Sequence, residues 1–237
     1  MLLIAHRGWS TRFPENSLPA FAAAVAAGAD ELEFDVRVSA DGVPFVIHDS
    51  TIDRTTDGTG KVADLTATEL KRVNLKDENG KVIPGLSIPT LQEVLASFLG
   101  QVGLNIHIKA LDERCTPLYL IQTITPFHYK SFYLAGSREV LEAALRICPH
   151  IPRCLIQGRK DTDLDKVFAT AHDLWCERIQ FFKGYYQEQD IQTCLEHGFI
   201  PNLYWADEPL EAERAFQSGV IGLLTNDIGP IRKHLIK

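Results

Sequence analysis

Leu2-Leu3-Ile4-Ala5-His6-Arg7-Gly8 opens the chain with four apolar residues, then an imidazole, a guanidinium and a glycine. The apolar run reads as a first strand, which places the next three residues at its carboxyl end. Those three residue types suit the start of a phosphate site. Arg offers a planar fork of donors matched to phosphate oxygens, His moves a proton near neutral pH, and Gly lets backbone approach a ligand closely. Many surface turns contain the same residues, so the weight of the tripeptide depends on what the chain places beside it.

Glu31-Leu32-Glu33-Phe34-Asp35-Val36 is the next strand candidate. Alternation sets Glu31, Glu33 and Asp35 on one face and Leu32, Phe34 and Val36 on the other. An amphipathic strand with a solvated acidic face gives this pattern, and so does a pair of carboxylates at i and i+2 that binds one hard divalent cation. Spacing does not say which of the three acids matter. Pro44-Phe45-Val46-Ile47-His48-Asp49 reads as an apolar strand ending in a second histidine, with Asp49 able to orient the ring or to start the next turn. Leu104-Asn105-Ile106-His107-Ile108-Lys109 repeats the pattern, with Asn105, His107 and Lys109 on one face. Several strands that each end in ionisable groups argue against a chance solvated edge.

Strands are expected at 2–5, 31–36, 104–108, 131–135, 153–157, 177–182, 200–205 and 220–225. Helical patterns fall between them at 17–27, 91–99, 112–123, 137–147, 162–172, 187–197, 209–218 and 228–236. Eight strand–helix units predict an α/β fold, a (β/α)8 TIM barrel, with residues 1–237 as a single domain. Ser17 is a natural N-cap for an apolar stripe of Leu18, Phe21, Ala22 and Val25. Gly28 and Gly198 read as helix stops. Residues 50–90, rich in Thr, Asp, Gly and Lys, break the rhythm after the second strand region. A connection this long is uncommon unless functional.

A chain of 237 residues that is 45% hydrophobic can build one large core, and its net charge of -7 argues against a nucleic-acid surface. The five cysteines are odd in number and contain no CxxC pair, so buried reduced thiols are expected. No apolar run of about 18 residues predicts a membrane span. The chain enters its first strand without a basic segment and a cleavable apolar one. A cytoplasmic location is the expectation.

Taken in order, several segments resemble the motifs of the glycerophosphodiester phosphodiesterase family, of the bacterial cytosolic type. They are His6-Arg7-Gly8, Pro14-Glu15-Asn16-Ser17, Glu33-Phe34-Asp35, His48-Asp49, Ile88-Pro89-Thr90-Leu91, Asn105-Ile106-His107-Ile108-Lys109 and Gly219-Val220-Ile221-Gly222-Leu223-Leu224-Thr225-Asn226. Each piece alone is weak; the ordered set covers essentially the whole chain and is specific. The resemblance implies metal-dependent hydrolysis of a small-molecule glycerophosphodiester to glycerol 3-phosphate and an alcohol. It implies that residues 50–90 are an insertion capping the barrel mouth.

Residue by residue, the resemblance implies His6 and His48 as general acid and base, in an order it leaves open. Arg7 and Lys109 would hold the phosphate, and Tyr204 would line the pocket unless it is plain barrel core. Glu33, Asp35 and His107 would hold one divalent cation. Glu15 would hold His6 or Arg7, or lie near the metal, unless it only favours the following helix start. Attack by a glycerol hydroxyl, giving a cyclic phosphate first, and direct attack by water both remain open. The family usually has Glu at His107 and often Asp at Asn226. An imidazole at 107 suits Mn or Zn better than the family's Mg or Ca, or leaves a gap that water fills. The competing functions are lysophospholipase D-like action on larger lipids and a non-catalytic glycerophosphodiester-binding homologue. An amidohydrolase-type site is disfavoured because the first strand lacks a His-x-His pair. Oligomeric state leaves no signal.

Overall fold

The computed structural model describes residues 1–124, 131–158 and 163–236. Thr162, the expected start of the sixth helix, lies outside the described residues, as does Lys237. In chain order the elements are β1 (Leu2–His6), α1 (Leu18–Ala26), β2 (Glu31–Val38), β3 (Pro44–Val46), α2 (Ala67–Leu70), α3 (Leu91–Phe98), β4 (Gly103–Ile108), α4 (Thr116–Ile124), β5 (Phe132–Gly136), α5 (Arg138–Ile147), β6 (Arg153–Ile156), α6 (Leu164–Asp173), β7 (Arg178–Phe182), α7 (Glu188–Glu196), β8 (Ile200–Tyr204), α8 (Pro209–Gln217), β9 (Gly222–Thr225) and α9 (Ile228–Leu235). Every strand except β3 belongs to one parallel sheet, and β1 pairs with both β9 and β2, so the sheet closes into a TIM barrel.

Alternation along each strand creates two separate interiors. Leu32, Phe34 and Val36 of β2 and Leu104, Ile106 and Ile108 of β4 face outward into the main core between sheet and helices. There the Phe21 ring lies 5.7 Å from Phe34 and 5.9 Å from Phe98, centroid to centroid. Each such buried side chain contributes about 2–3 kcal/mol by area. The opposite faces point into the barrel, where polar and apolar layers stack. At the lower end Glu31 accepts from the Tyr133 hydroxyl at 2.9 Å and pairs with Arg178 at 3.3 Å. Ile4 and Leu224 fill the middle, with Tyr204 above them. The acidic face of β2 is therefore not a solvated edge.

Local chemistry sets the element ends. Ser17 caps α1 by accepting from the Ala20 N–H. The fourth helix begins at Thr116, four residues later than its pattern suggests. Asp112 accepts from the Thr116 N–H at 2.7 Å and its hydroxyl at 2.6 Å, and Cys115 takes a left-handed φ of 50° that a helix cannot include.

The run 44–49 also differs from expectation. Its strand is three residues long, runs antiparallel to the end of β2, and lies outside the barrel. His48 sits two residues beyond it in a bend. From there the chain leaves on a long excursion with its own small core, in which Ile52, Val62, Leu70, Leu75 and Ile88 pack against Phe45 and Ile47. The two ends of the excursion meet: the Val46 N–H donates to the Pro89 carbonyl at 2.8 Å, and Phe45 bridges Thr90.

The turn after β1 depends on Gly8. Its φ is +81°, and a Cβ there would lie 2.7 Å from Ala20 backbone and side chain. Gly8→Ala is expected to cost about 3 kcal/mol, from left-handed strain plus overpacking. Gly80→Ala, at φ +79° with nothing within 4 Å, is expected to cost about 1 kcal/mol from strain alone. Denaturant unfolding of both checks this; equal losses would show that contact with Ala20 is not the constraint.

Candidate active site

Strand register assembles the upper end of the barrel. β1 and β2 align His6 with Glu33, and β2 and β4 align Asp35 with His107. Arg7 turns at once into the left-handed region, φ 59°. Its N–H then reaches both the Glu33 carbonyl at 2.9 Å and the Glu33 carboxylate at 3.2 Å. The Arg7 side chain donates to Glu15 at 3.0 Å and holds its Nε 3.3 Å from Asp35. Glu33 is 0% and Asp35 1% exposed.

Glu33, Asp35 and His107 offer donor atoms that all lie within 4.8 Å of one another. His107 Nδ1 is 3.2 Å from Asp35 Oδ1 and 3.6 Å from Glu33 Oε1. Burial would depress the His107 ring, but hydrogen bonding to Asp35 and Glu33 outweighs it and the ring lies above the ordinary histidine value. Burial would likewise raise the Asp35 carboxyl, yet its hydrogen bond to His107 and the charges of His107, Arg7 and His48 hold it well below the usual carboxylate range. Asn16 donates to Asp35 Oδ2 at 3.1 Å and accepts from the Asp35 N–H at 3.3 Å. The Tyr204 hydroxyl lies 3.3 Å from both Glu33 Oε1 and His107 Nδ1.

Both candidate histidines are anchored through Nδ1. His6 Nδ1 is 2.7 Å from Asn226 Oδ1. Asp207 fixes that amide by accepting from Asn226 Nδ2 at 2.8 Å and from its backbone N–H at 2.7 Å. With the amide so held, Asn226 Oδ1 is an acceptor and His6 Nδ1 carries the hydrogen. The Nε2 atom of His6 then faces Glu33, at 3.9 Å. His48 Nδ1 is 2.7 Å from Asp49, and its Nε2 is 3.2 Å from Lys109 Nζ. Burial pulls the His48 ring below the ordinary histidine value, against the opposing charge of Asp35. Lys109 is lowered by burial too, again opposed by Asp35.

His6, Arg7, Asp35, His48, His107 and Lys109 line a cavity of about 470 Å³, whose remaining wall is Phe182, Tyr204, Trp205 and Asn226. Trp205, 38% exposed, stacks on His6 with ring planes 12° apart. All nine residues singled out from sequence thus lie in one connected cluster, with Glu33 beneath the cavity and Glu15 beside it. Sequence reasoning missed Asn16, Asp207 and Trp205 as members, and treated Asn226 only as a departure. Asn16 sat inside a quoted motif; Asp207 lies in a loop where no pattern marks it.

Residues 6–116 match the Glycerophosphoryl diester phosphodiesterase family. The chain is 30% identical over 237 residues to a glycerophosphodiester phosphodiesterase of Caldanaerobacter subterraneus subsp. tengcongensis, covering 95% of this chain and 94% of that one. It is 44% identical over 178 residues to glycerophosphodiester phosphodiesterase 1 of Bos taurus, covering 73% of this chain and 49% of the relative, so it spans about half that protein's length. A solved structure of an Oleispira antarctica phosphodiesterase, in complex with the product sn-glycerol-3-phosphate, has the same fold. Its TM-score is 0.85 at 22% identity, covering 100% of this chain and 97% of that one.

The two hydrogen bonds between Asn16 and Asp35 make a stability prediction. Asn16→Gly keeps the left-handed φ of 55° but strips one hydrogen bond from the buried Asp35 carboxylate and leaves the Asp35 N–H without its acceptor. A loss of about 2 kcal/mol is expected, measured by denaturant unfolding. An unchanged midpoint would mean that other partners compensate Asp35 fully.

Proposed function

The chain belongs to the glycerophosphodiester phosphodiesterase family, and on that basis we propose that it hydrolyses glycerophosphodiesters to glycerol 3-phosphate and an alcohol. The observation that carries this reading is a single one. A buried carboxylate pair, two cationic side chains and two Nδ1-anchored histidines converge on one cavity at the carboxyl ends of the barrel strands, where barrel enzymes do their chemistry.

Glu33, Asp35 and His107 fit one divalent cation by their chemistry: two buried carboxylates supply charge and an imidazole supplies a softer donor. A cation held there would supply positive charge at the phosphoryl oxygens. The imidazole favours Mn or Zn over Mg or Ca. Arg7 and Lys109 bind the phosphate, Arg7 as a planar fork and Lys109 as a point charge. Glu15 holds the Arg7 fork in place. His6 and His48 present Nε2, so one takes a proton from the attacking oxygen and the other returns one to the leaving oxygen. Phe182, Tyr204 and Trp205 give the carbon skeleton of the diester an apolar wall. The excursion over residues 50–90 acts as a cap at the barrel mouth, its Arg54 reaching across to Glu15. A cavity of about 470 Å³ lined by ionisable groups supports a diester of headgroup size over a lysolipid. Five free cysteines support a reducing, cytoplasmic setting. Among the described residues no helix is long and apolar enough to cross a membrane.

The decisive experiment is a turnover panel of several glycerophosphodiesters against several divalent cations; inactivity across the whole panel would overturn the reading. His6→Ala and His48→Ala are each expected to lower turnover by about 100-fold or more, the usual scale for acid–base groups. Near-normal rates in either would remove its assigned role. A chelator should abolish turnover. By calorimetric titration, His107→Glu should shift cation preference toward Mg or Ca; an identical metal profile would show that His107 is not a ligand.

A further inference from the structure

Arg54 lies in the excursion, outside the barrel, yet it makes three side-chain hydrogen bonds at the edge of the site. Its Nη1 and Nη2 donate to the two oxygens of Glu15 at 2.8 and 2.9 Å, and its Nε donates to Asp49 Oδ2 at 2.6 Å. The other oxygen of Asp49 is the one 2.7 Å from His48 Nδ1. One guanidinium therefore occupies the outer side of the carboxylate whose inner side meets the ring. An ionised carboxylate only accepts, so His48 Nδ1 carries the hydrogen; an ammonium only donates, so Nε2 facing Lys109 presents its lone pair.

Asp49 is partly open to water, with 29% of its side chain exposed. Without Arg54 it has a solvated alternative to the ring. Beside Arg54 its carboxyl is pulled down to about 2, against the opposing effect of burial, so it stays an acceptor well into the acid range. We propose that Arg54 is a positioning residue for His48: it holds the Asp49 carboxylate against Nδ1, so that Nε2 is the nitrogen that serves the cavity. The proposal rests on the reading of His48 as a proton-transfer group. It gives the excursion a second task beside covering the mouth, because one of its side chains sets the tautomer of a ring in the site. The same guanidinium steadies Glu15, and through it the Arg7 fork.

The test compares Arg54→Met and Arg54→Lys with Arg72→Met, an exposed arginine of the same excursion, as control. Two readouts are taken: kcat and KM on glycerophosphocholine, and the ring 15N shifts of His48, which report its tautomer. Arg54→Met should lower kcat by about 10-fold or more, as expected for a misplaced acid–base group, with KM changed less than about threefold. The Nδ1–H share of His48 should fall, Arg54→Lys should recover part of both effects, and Arg72→Met should change neither. Asp49→Ala should cost less in the Arg54→Met background than in the wild type, because the two act through one contact. An unchanged His48 spectrum in folded Arg54→Met overturns the proposal. So does a rise in KM alone, which would assign Arg54 to the Glu15–Arg7 side, or full additivity with Asp49→Ala. Should Arg54→Met fail to fold, the neutral Arg54→Gln carries the same spectrum. The spectrum does not depend on turnover: a wild type inactive on every diester, with the tautomer still following Arg54, overturns the functional reading alone.

Discussion

Two carboxylates buried side by side, Glu33 and Asp35, impose the constraint around which the upper barrel is organised. An ion taken out of water costs several kcal/mol unless it is paired and hydrogen-bonded. The surrounding structure supplies those partners from four separate segments. The β1 turn brings the Arg7 backbone and guanidinium, the next loop brings Asn16, β4 brings His107, and β8 brings the Tyr204 hydroxyl. The left-handed conformations of Arg7 and Asn16 follow from the same need, since each turns a polar group back toward a carboxylate. Strain of this kind persists only where surrounding contacts over-determine it.

The two histidines show a shared solution with different materials. His6 is braced by an amide that Asp207 holds, His48 by a carboxylate that Arg54 holds. In both, the brace is itself braced, and the nitrogen left over is Nε2. Their surroundings differ in sign: His6 looks toward Glu33 and His48 toward Lys109.

Much of this was legible in the sequence, for physical reasons. Strand parity places Glu33 with Asp35, and His107 with Lys109, because a pleated strand alternates its faces. Eight strand–helix units leave few architectures to choose from. The ordered resemblance then identified the family and named nine residues that the structure gathers into one cluster. What stayed hidden came from contacts between segments far apart in sequence. Asp207 meets Asn226, and Arg54 meets Glu15, through loops whose approach no periodicity encodes. The strand read as ending at His48 stops at Val46, because its antiparallel pairing with β2 runs out at Val36, a limit that the apolar run 44–47 does not encode.

The excursion between β3 and α3 begins and ends at the same place, with Val46 bonded to Pro89. Closing a loop costs only about 0.6 kcal/mol more for each doubling of its length once the ends are joined. The barrel therefore has little stake in how long this segment is, provided its small apolar core still seats on Phe45 and Ile47. Such a segment can be rebuilt, enlarged or trimmed during descent while the barrel stays as it is. The freedom has a further limit. Any replacement must return a cation to the position Arg54 holds, so diversification of the segment is tethered at a single side chain.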